Sequence, residues 1–318
     1  MRLLSFERGG AVRIGTRLDE KIVDLYMASV SYFADLGEVN PDAKACEHLP
    51  PCMKEFLQRG DQGLQLARTV LDFLKGQLKT SGTVIGPSGE RIIYHESEVK
   101  LKPPVPDPNK IICLGLNYRD HAREAGAELP ANPIIFSKFA TALIGPGDPI
   151  VYPKAVRQLD YEIELAFIIG RRGRHIPEEK AYGYIAGYTI FNDVSARDIQ
   201  FADGQWTRAK SFDTFAPMGP YLVTRDEVPD PHDLAMQLRV NGKVMQDSNT
   251  SNMAFKIPYI LSFLSQAFTL EPGDVVATGT PAGVGIFRDP PALLRAGDVV
   301  ELEIEGLGRL RNPVLAGQ

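Results

Sequence analysis

The run Leu159-Asp160-Tyr161-Glu162-Ile163-Glu164-Leu165-Ala166-Phe167-Ile168-Ile169 puts acid where a β-strand would put core. Read with a period of two, Leu159, Tyr161, Ile163, Leu165 and Phe167 fall on one face and Asp160, Glu162 and Glu164 on the other. Side chains two apart on a strand project the same way from Cα atoms about 7 Å apart, so Glu162 and Glu164 can converge on one point. Like-charged carboxylates in a half-buried place repel, and one must take a proton unless positive charge sits between them. A divalent cation meets that need. The competing reading is a solvent-facing strand with a charged outer surface, and the rest of the chain has to decide between the two.

The bulk numbers restrict the partners. With 318 residues, 44% hydrophobic and 24% charged, the chain can bury one large domain plus a smaller one. A formal charge of −5 and a pI near 5.7 offer no basic surface for nucleic acid. The three cysteines, Cys46, Cys52 and Cys113, match neither a zinc spacing nor a disulfide framework and read as thiols in a reducing compartment. The N-terminal residues lack the apolar core of a secretory signal, and no window approaches the about 18 uncharged apolar residues of a membrane span. The expectation is a cytoplasmic protein with no membrane partner.

Along the chain, residues 2–6, 11–16 and 22–25 read as a small β-meander split by Gly9-Gly10 and Asp19-Glu20. Met53 to Gln58 is a short helix, and Leu64, Ala67, Val70, Leu71, Leu74 and Leu78 mark an amphipathic helix with Asp61 as its N-cap. Four prolines within residues 103–108 suit neither helix nor inner strand. We therefore divide the chain into an accessory domain over 1–100, a proline-rich linker over 101–108 and a main domain over 109–318.

In that main domain Ile111 to Leu116 reads as a buried strand, followed by a polar helical stretch that puts His121 and Glu124 on one face. A surface histidine–glutamate pair would look the same. Residues 183–192 are β-rich and deliver Asp193, with Arg197, Asp198 and Gln200 beyond; Asp193 or Asp198 could be an N-cap. Lys210 stands in a mostly apolar and hydroxylated passage, where an unpaired buried ammonium is costly. Asn241-Gly242 signals a type I′ hairpin turn, Ile257 to Phe268 a buried helix and Val299 to Ile304 the last strand. The Gly279–Gly285 loop lacks both the lysine of a phosphate loop and the spacing of a dinucleotide fingerprint, though its N–H groups could bind a small anion.

Taken together, Gly115-Leu116-Asn117-Tyr118 with His121 and Glu124, the Asp160–Leu165 strand, Asn192–Asp198, Ala209–Phe212 and Gly279–Gly285 resemble the fumarylacetoacetate hydrolase family over nearly all of residues 109–313. The N-terminal segment and residues 133–139 resemble the branch that includes the animal domain-containing protein 2 members. The resemblance implies an α+β, mostly β fold, a mixed β-sandwich roll with a small N-terminal α+β accessory domain, usually a homodimer. It also implies Mg²⁺ or Mn²⁺ held by Glu162, Glu164 and Asp193, which suits a hard octahedral cation. The implied substrate is a small 2-oxo or β-dicarbonyl acid. His121, oriented by Glu124, would be the general base and Lys210 would stabilise enolate charge. Arg197, Gln200 and Thr280 would bind substrate, and Asp160 would stand beside the site as a non-ligand. The main expectation is hydrolysis of a carbon–carbon bond in acylpyruvate-like acids. The alternatives are oxaloacetate decarboxylation or keto–enol tautomerisation, hydration or isomerisation of 2-oxo-enoic acids, and a metal-stabilised binding protein without turnover.

Overall fold

Strands from the N-terminal meander and from the main domain build one large sheet. The computed structural model describes residues 1–81 and 84–317. Across the sheet run Ile93–His95, Lys21–Asp24, Ala11–Leu18, Arg2–Arg8, Ala216–Thr224, Ile185–Asn192, Ile163–Ile169, Val275–Ala277, Ile111–Gly115 and Ile134–Lys138. The meander is thus present, and its first strand joins the main sheet through Arg2 opposite Val223. Leu3, Leu4, Phe6 and Ile14 accordingly share one apolar core with Leu165, Phe167, Ile190 and Val276. A second sheet orders Lys243–Asn249, Ala235–Val240, Val299–Ile304, Gly308–Ala316 and Ile150–Tyr152. Its first hairpin turns at Asn241 and Gly242, with φ of 52° and 82° as a type I′ turn requires.

Among the described residues four α-helices, Leu25–Asp35, Pro41–His48, Met53–Gln58 and Gly60–Ser81, lie between the strands Lys21–Asp24 and Ile93–His95. Asp24 caps the first by accepting the Met27 N–H at 3.0 Å. Asp61 lies inside the first turn of Gly60–Ser81 instead of capping it, because the helix begins at Gly60. The helix Ile257–Ala267 buries Ile257, Ile260, Leu261 and Leu264. Among the described residues no helix is long and apolar enough to cross a membrane.

The acidic run departs from a continuous strand. Leu159–Asp160 makes a two-residue ladder with Ser195–Ala196, the strand is interrupted at Tyr161-Glu162, and the long strand starts at Ile163. All seven residues of Ile163–Ile169 are buried, as a central strand with both faces covered must be. A solvent-facing acidic surface is excluded: Asp160 and Glu164 have no exposure at all and Glu162 has 5%.

Candidate active site

Strand pairing brings the acids together. The ladder between Ile163–Ile169 and Ile185–Asn192 starts with Ile163 opposite Asn192. The next residue out on each chain, Glu162 and Asp193, therefore also meet, and the Asp193 N–H donates to the Glu162 carbonyl at 2.9 Å. Glu164 follows two residues along on the same side. Carboxylate oxygens of Glu162, Glu164 and Asp193 lie within 4.8 Å of one another, and all three residues are buried.

Three cations enclose them. Lys210, at the end of the short helix Trp206–Lys210, donates to Glu162 Oε2 at 2.8 Å and Asp193 Oδ2 at 2.6 Å. Arg197 sets Nη2 2.6 Å from Glu162 Oε1 and donates from Nε to Asp160 Oδ2 at 2.8 Å. The third, Lys138, donates to Asp193 Oδ1 and to the Val194 carbonyl at 3.1 Å. Sequence reasoning gave Lys138 no role: the apolar run was read as Ile134-Ile135-Phe136, and the strand extends to Lys138. Its signal was the flanking apolar residues, which leave an ammonium nowhere wet to go; it is 3% exposed.

The balance is uneven. Lys138, Lys210 and Arg197 form ion pairs with Glu162, Asp193 and Asp160, and among the described residues none pairs with Glu164. Its Oε2 accepts the Gly279 N–H at 2.9 Å, and its buried Oε1 has no partner. Burial, with Asp193 and Glu162 beside it, pushes the Glu164 carboxyl well above the usual range. Burial also raises Glu162, but Lys210, Arg197 and His121 outweigh it and hold that carboxyl down at about 2. Burial lowers both lysines; Asp193 and Glu162 then carry Lys210 above its ordinary value, while Lys138, repelled by Lys210, stays below. An orphaned carboxylate oxygen in a buried group of three carboxylates, with only oxygen donors, fits a hard divalent cation.

The histidine sits on the six-residue helix Arg119–Glu124, entered through Leu116 at a φ of 51°. Asn117 pins that entry, donating to the Thr278 carbonyl at 2.8 Å and accepting the Phe255 N–H at 2.8 Å. Asp120 ties the helix outward, accepting from Ser248 Oγ at 2.7 Å. Glu124 Oε2 lies 3.3 Å from His121 Nδ1. A carboxylate accepts only, so Nδ1 carries the hydrogen and Nε2 remains the basic nitrogen.

The glycine loop binds anions in an unexpected sense, because the anions are the chain's own. Gly279 N–H holds Glu164, Gly283 N–H holds Glu124 Oε1 at 2.9 Å, and Gly285 N–H holds Asp160 at 2.8 Å. The Thr280 hydroxyl donates to the Ile163 carbonyl at 2.9 Å and accepts from Gln246 at 2.8 Å, so both of its roles are filled within the fold. Gln200 Oε1 accepts from Arg197 Nη1 at 3.0 Å.

A strand-borne carboxylate cluster beside a histidine–glutamate pair on this α+β framework defines a class, and sequence comparison agrees with it. The family described as "Fumarylacetoacetate (FAA) hydrolase C-terminal" matches residues 110–315, and the chain belongs to that family. It is 46% identical over 319 residues to the mitochondrial oxaloacetate tautomerase of Xenopus laevis, spanning 99% of this chain and 90% of the relative. The fumarylacetoacetate hydrolase of Exiguobacterium antarcticum superposes with a TM-score of 0.77 at 34% identity, all of both chains covered. The maleylpyruvate hydrolase of Sphingobium sp. SYK-6, solved with manganese(II) and pyruvate, gives 0.71 at 31% over the same full coverage. Membership makes the chain an enzyme of a hydrolase, isomerase and tautomerase family. It does not carry the expected carbon–carbon hydrolysis further than family level. The expected cytoplasmic location is overturned: the Xenopus relative, like the rat, bovine and human ones, is named as mitochondrial. That expectation rested on the composition of the N-terminal residues, which is a weak address.

Proposed function

We propose that the protein is a metal-dependent keto–enol tautomerase of oxaloacetate or a closely similar 2-oxo dicarboxylic acid. The observations that carry the metal site are the buried, unpartnered Glu164 Oε1 and the carboxylate oxygens of Glu162, Glu164 and Asp193 within 4.8 Å of one another. The tautomerase activity draws its support from the relatives that match this chain almost end to end. Glu162, Glu164 and Asp193 would hold Mg²⁺ or Mn²⁺, which on binding would polarise the 2-oxo group and stabilise enolate charge.

His121 Nε2 takes the proton from C3 of the keto acid and then gives it to the enolate oxygen, which yields the enol and regenerates the neutral imidazole; the reverse direction uses the same groups. Glu124 fixes the tautomer through Nδ1 and offsets the imidazolium charge while it lasts. Lys210 supplies positive charge beside the developing enolate, fixed in advance by its two acid partners. Arg197 and Gln200, hydrogen-bonded to each other, are assigned to the substrate carboxylate.

Hydrolysis of an acylpyruvate is the second reading, favoured by the maleylpyruvate hydrolase that shares the fold. It needs the same enolate stabilisation plus an attacking water. The test is enol decay of oxaloacetate and cleavage of acetylpyruvate, each followed with Mg²⁺ and with chelator. Metal-dependent enol decay without cleavage is the expected result; cleavage as the faster reaction would replace the first reading by the second.

A further inference from the structure

Asp160 shares the acidic run with Glu162 and Glu164 but takes no place in their cluster. It is fully buried, and both oxygens are filled. Oδ1 accepts the N–H groups of Tyr161 at 2.9 Å and Gly285 at 2.8 Å; Oδ2 accepts that of Ile286 at 3.1 Å and Arg197 Nε at 2.8 Å. Two chemically separate parts of the site meet on this one carboxylate. Through Arg197 it reaches Glu162 Oε1, 2.6 Å from Nη2. Through the loop it reaches the histidine pair: Gly283, two residues before Gly285, donates to Glu124, and Phe287, just after Ile286, sets its ring 6.0 Å from the His121 imidazole.

Gly285 gives an independent sign that the contact is built. Its backbone does not require glycine through a positive φ, yet a Cβ there would lie 2.4 Å from Asp160 Oδ1 and 2.5 Å from the Ala292 carbonyl. The side chain is missing because the carboxylate comes too close for one. A buried carboxylate with an arginine and three N–H groups is fully satisfied, so it can hold a loop at low conformational freedom.

We propose that Asp160 is a positioning residue that locks the Gly283–Phe287 loop to Arg197 and Glu162, and so fixes Glu124 and His121 relative to the carboxylate cluster. It touches no reacting atom. Its kinetic consequence rests on the proposed role of the His121–Glu124 pair; its structural consequence does not.

The test uses the full chain loaded with Mn²⁺. Asp160→Asn keeps the shape but loses the charge on Arg197. It is expected to speed amide exchange at Gly283 and Gly285 while Ile163–Ile169 stays protected, and to lower kcat for oxaloacetate enolisation about 10- to 100-fold with KM little changed. Gly285→Ala, which leaves Asp160 in place, should give the same pair of effects. In Glu124→Gln, the added Asp160→Asn should cost no further turnover, because one acts through the other. Unchanged exchange at Gly283 in both variants, exchange raised equally along Ile163–Ile169, or independent multiplicative losses would each overturn the proposal. If Glu124→Gln alone leaves turnover intact, the role assigned to the pair fails, and the exchange at Gly283 then decides Asp160 by itself.

Discussion

The carboxylate cluster and the histidine pair lie side by side but are held in different ways. Glu164 stands within a central strand, and Glu162 and Asp193 flank the end of the same ladder, so β-pairing fixes all three. Lys138, Lys210 and Arg197 then clamp two of them with buried ion pairs. His121 and Glu124 ride on six residues of helix, and Glu124 is held from outside by one loop N–H. The difference matches the tasks. On the proposed function, a cation needs oxygens fixed by the sheet itself, whereas the proton-transfer pair takes its position from a short helix and from the loop that Asp160 anchors.

Substitutions can break that contrast. The largest effect is expected for Glu164→Gln, which removes the one acid lacking a cation partner. Mn²⁺ affinity, read by titration, should fall by more than about 100-fold and enolisation with it. Activity that persists without bound metal would remove the cluster from the chemistry. Next, Lys138→Met strips a buried ion pair from Asp193 and should lower unfolding free energy in denaturant by about 3–5 kcal/mol in the metal-free protein. Mn²⁺ should restore part of that loss; if it restores none, the lysine and the cation do not share Asp193.

The smallest effect lies away from the site. His232 Nε2 accepts the Ile257 N–H at 3.1 Å at the start of Ile257–Ala267, and burial, with Lys256 nearby, holds the imidazole below its ordinary value of 6.5. Asp230 opposes that shift only in part. A histidine whose folded pKa is depressed contributes stability that is present above 6.5 and is lost as pH falls toward the folded value. The wild-type Tm should therefore drop more between pH 7.5 and 5.5 than that of His232→Gln, which keeps an acceptor but does not titrate. Parallel pH curves would show that this cap does not sense pH.

Much of this was legible in the chain because two periodicities carry it. The period-two alternation put Glu162 and Glu164 on one side, and the spacing of three put His121 beside Glu124. What alternation could not reveal was that both faces of Ile163–Ile169 are buried, since that depends on partners brought from residues 185–192 and 275–277. Lys138 was hidden for the same reason: its partner lies 55 residues away. The strand Gly308–Ala316 was missed altogether, since Val299 to Ile304 was taken as the last strand, although Pro313 sits in the ladder opposite Val299. The glycine loop looked like a receptor for an outside anion, and only the fold shows that Glu124, Asp160 and Glu164 occupy its N–H groups.

The most direct test of a fixed metal cluster served by a separate proton-transfer pair is His121→Ala, measured for both Mn²⁺ affinity and oxaloacetate enolisation on the same preparation. Affinity should stay at the wild-type value while kcat falls about 10²- to 10⁴-fold. Loss of Mn²⁺ binding in step with activity, or full activity without the imidazole, would contradict that division.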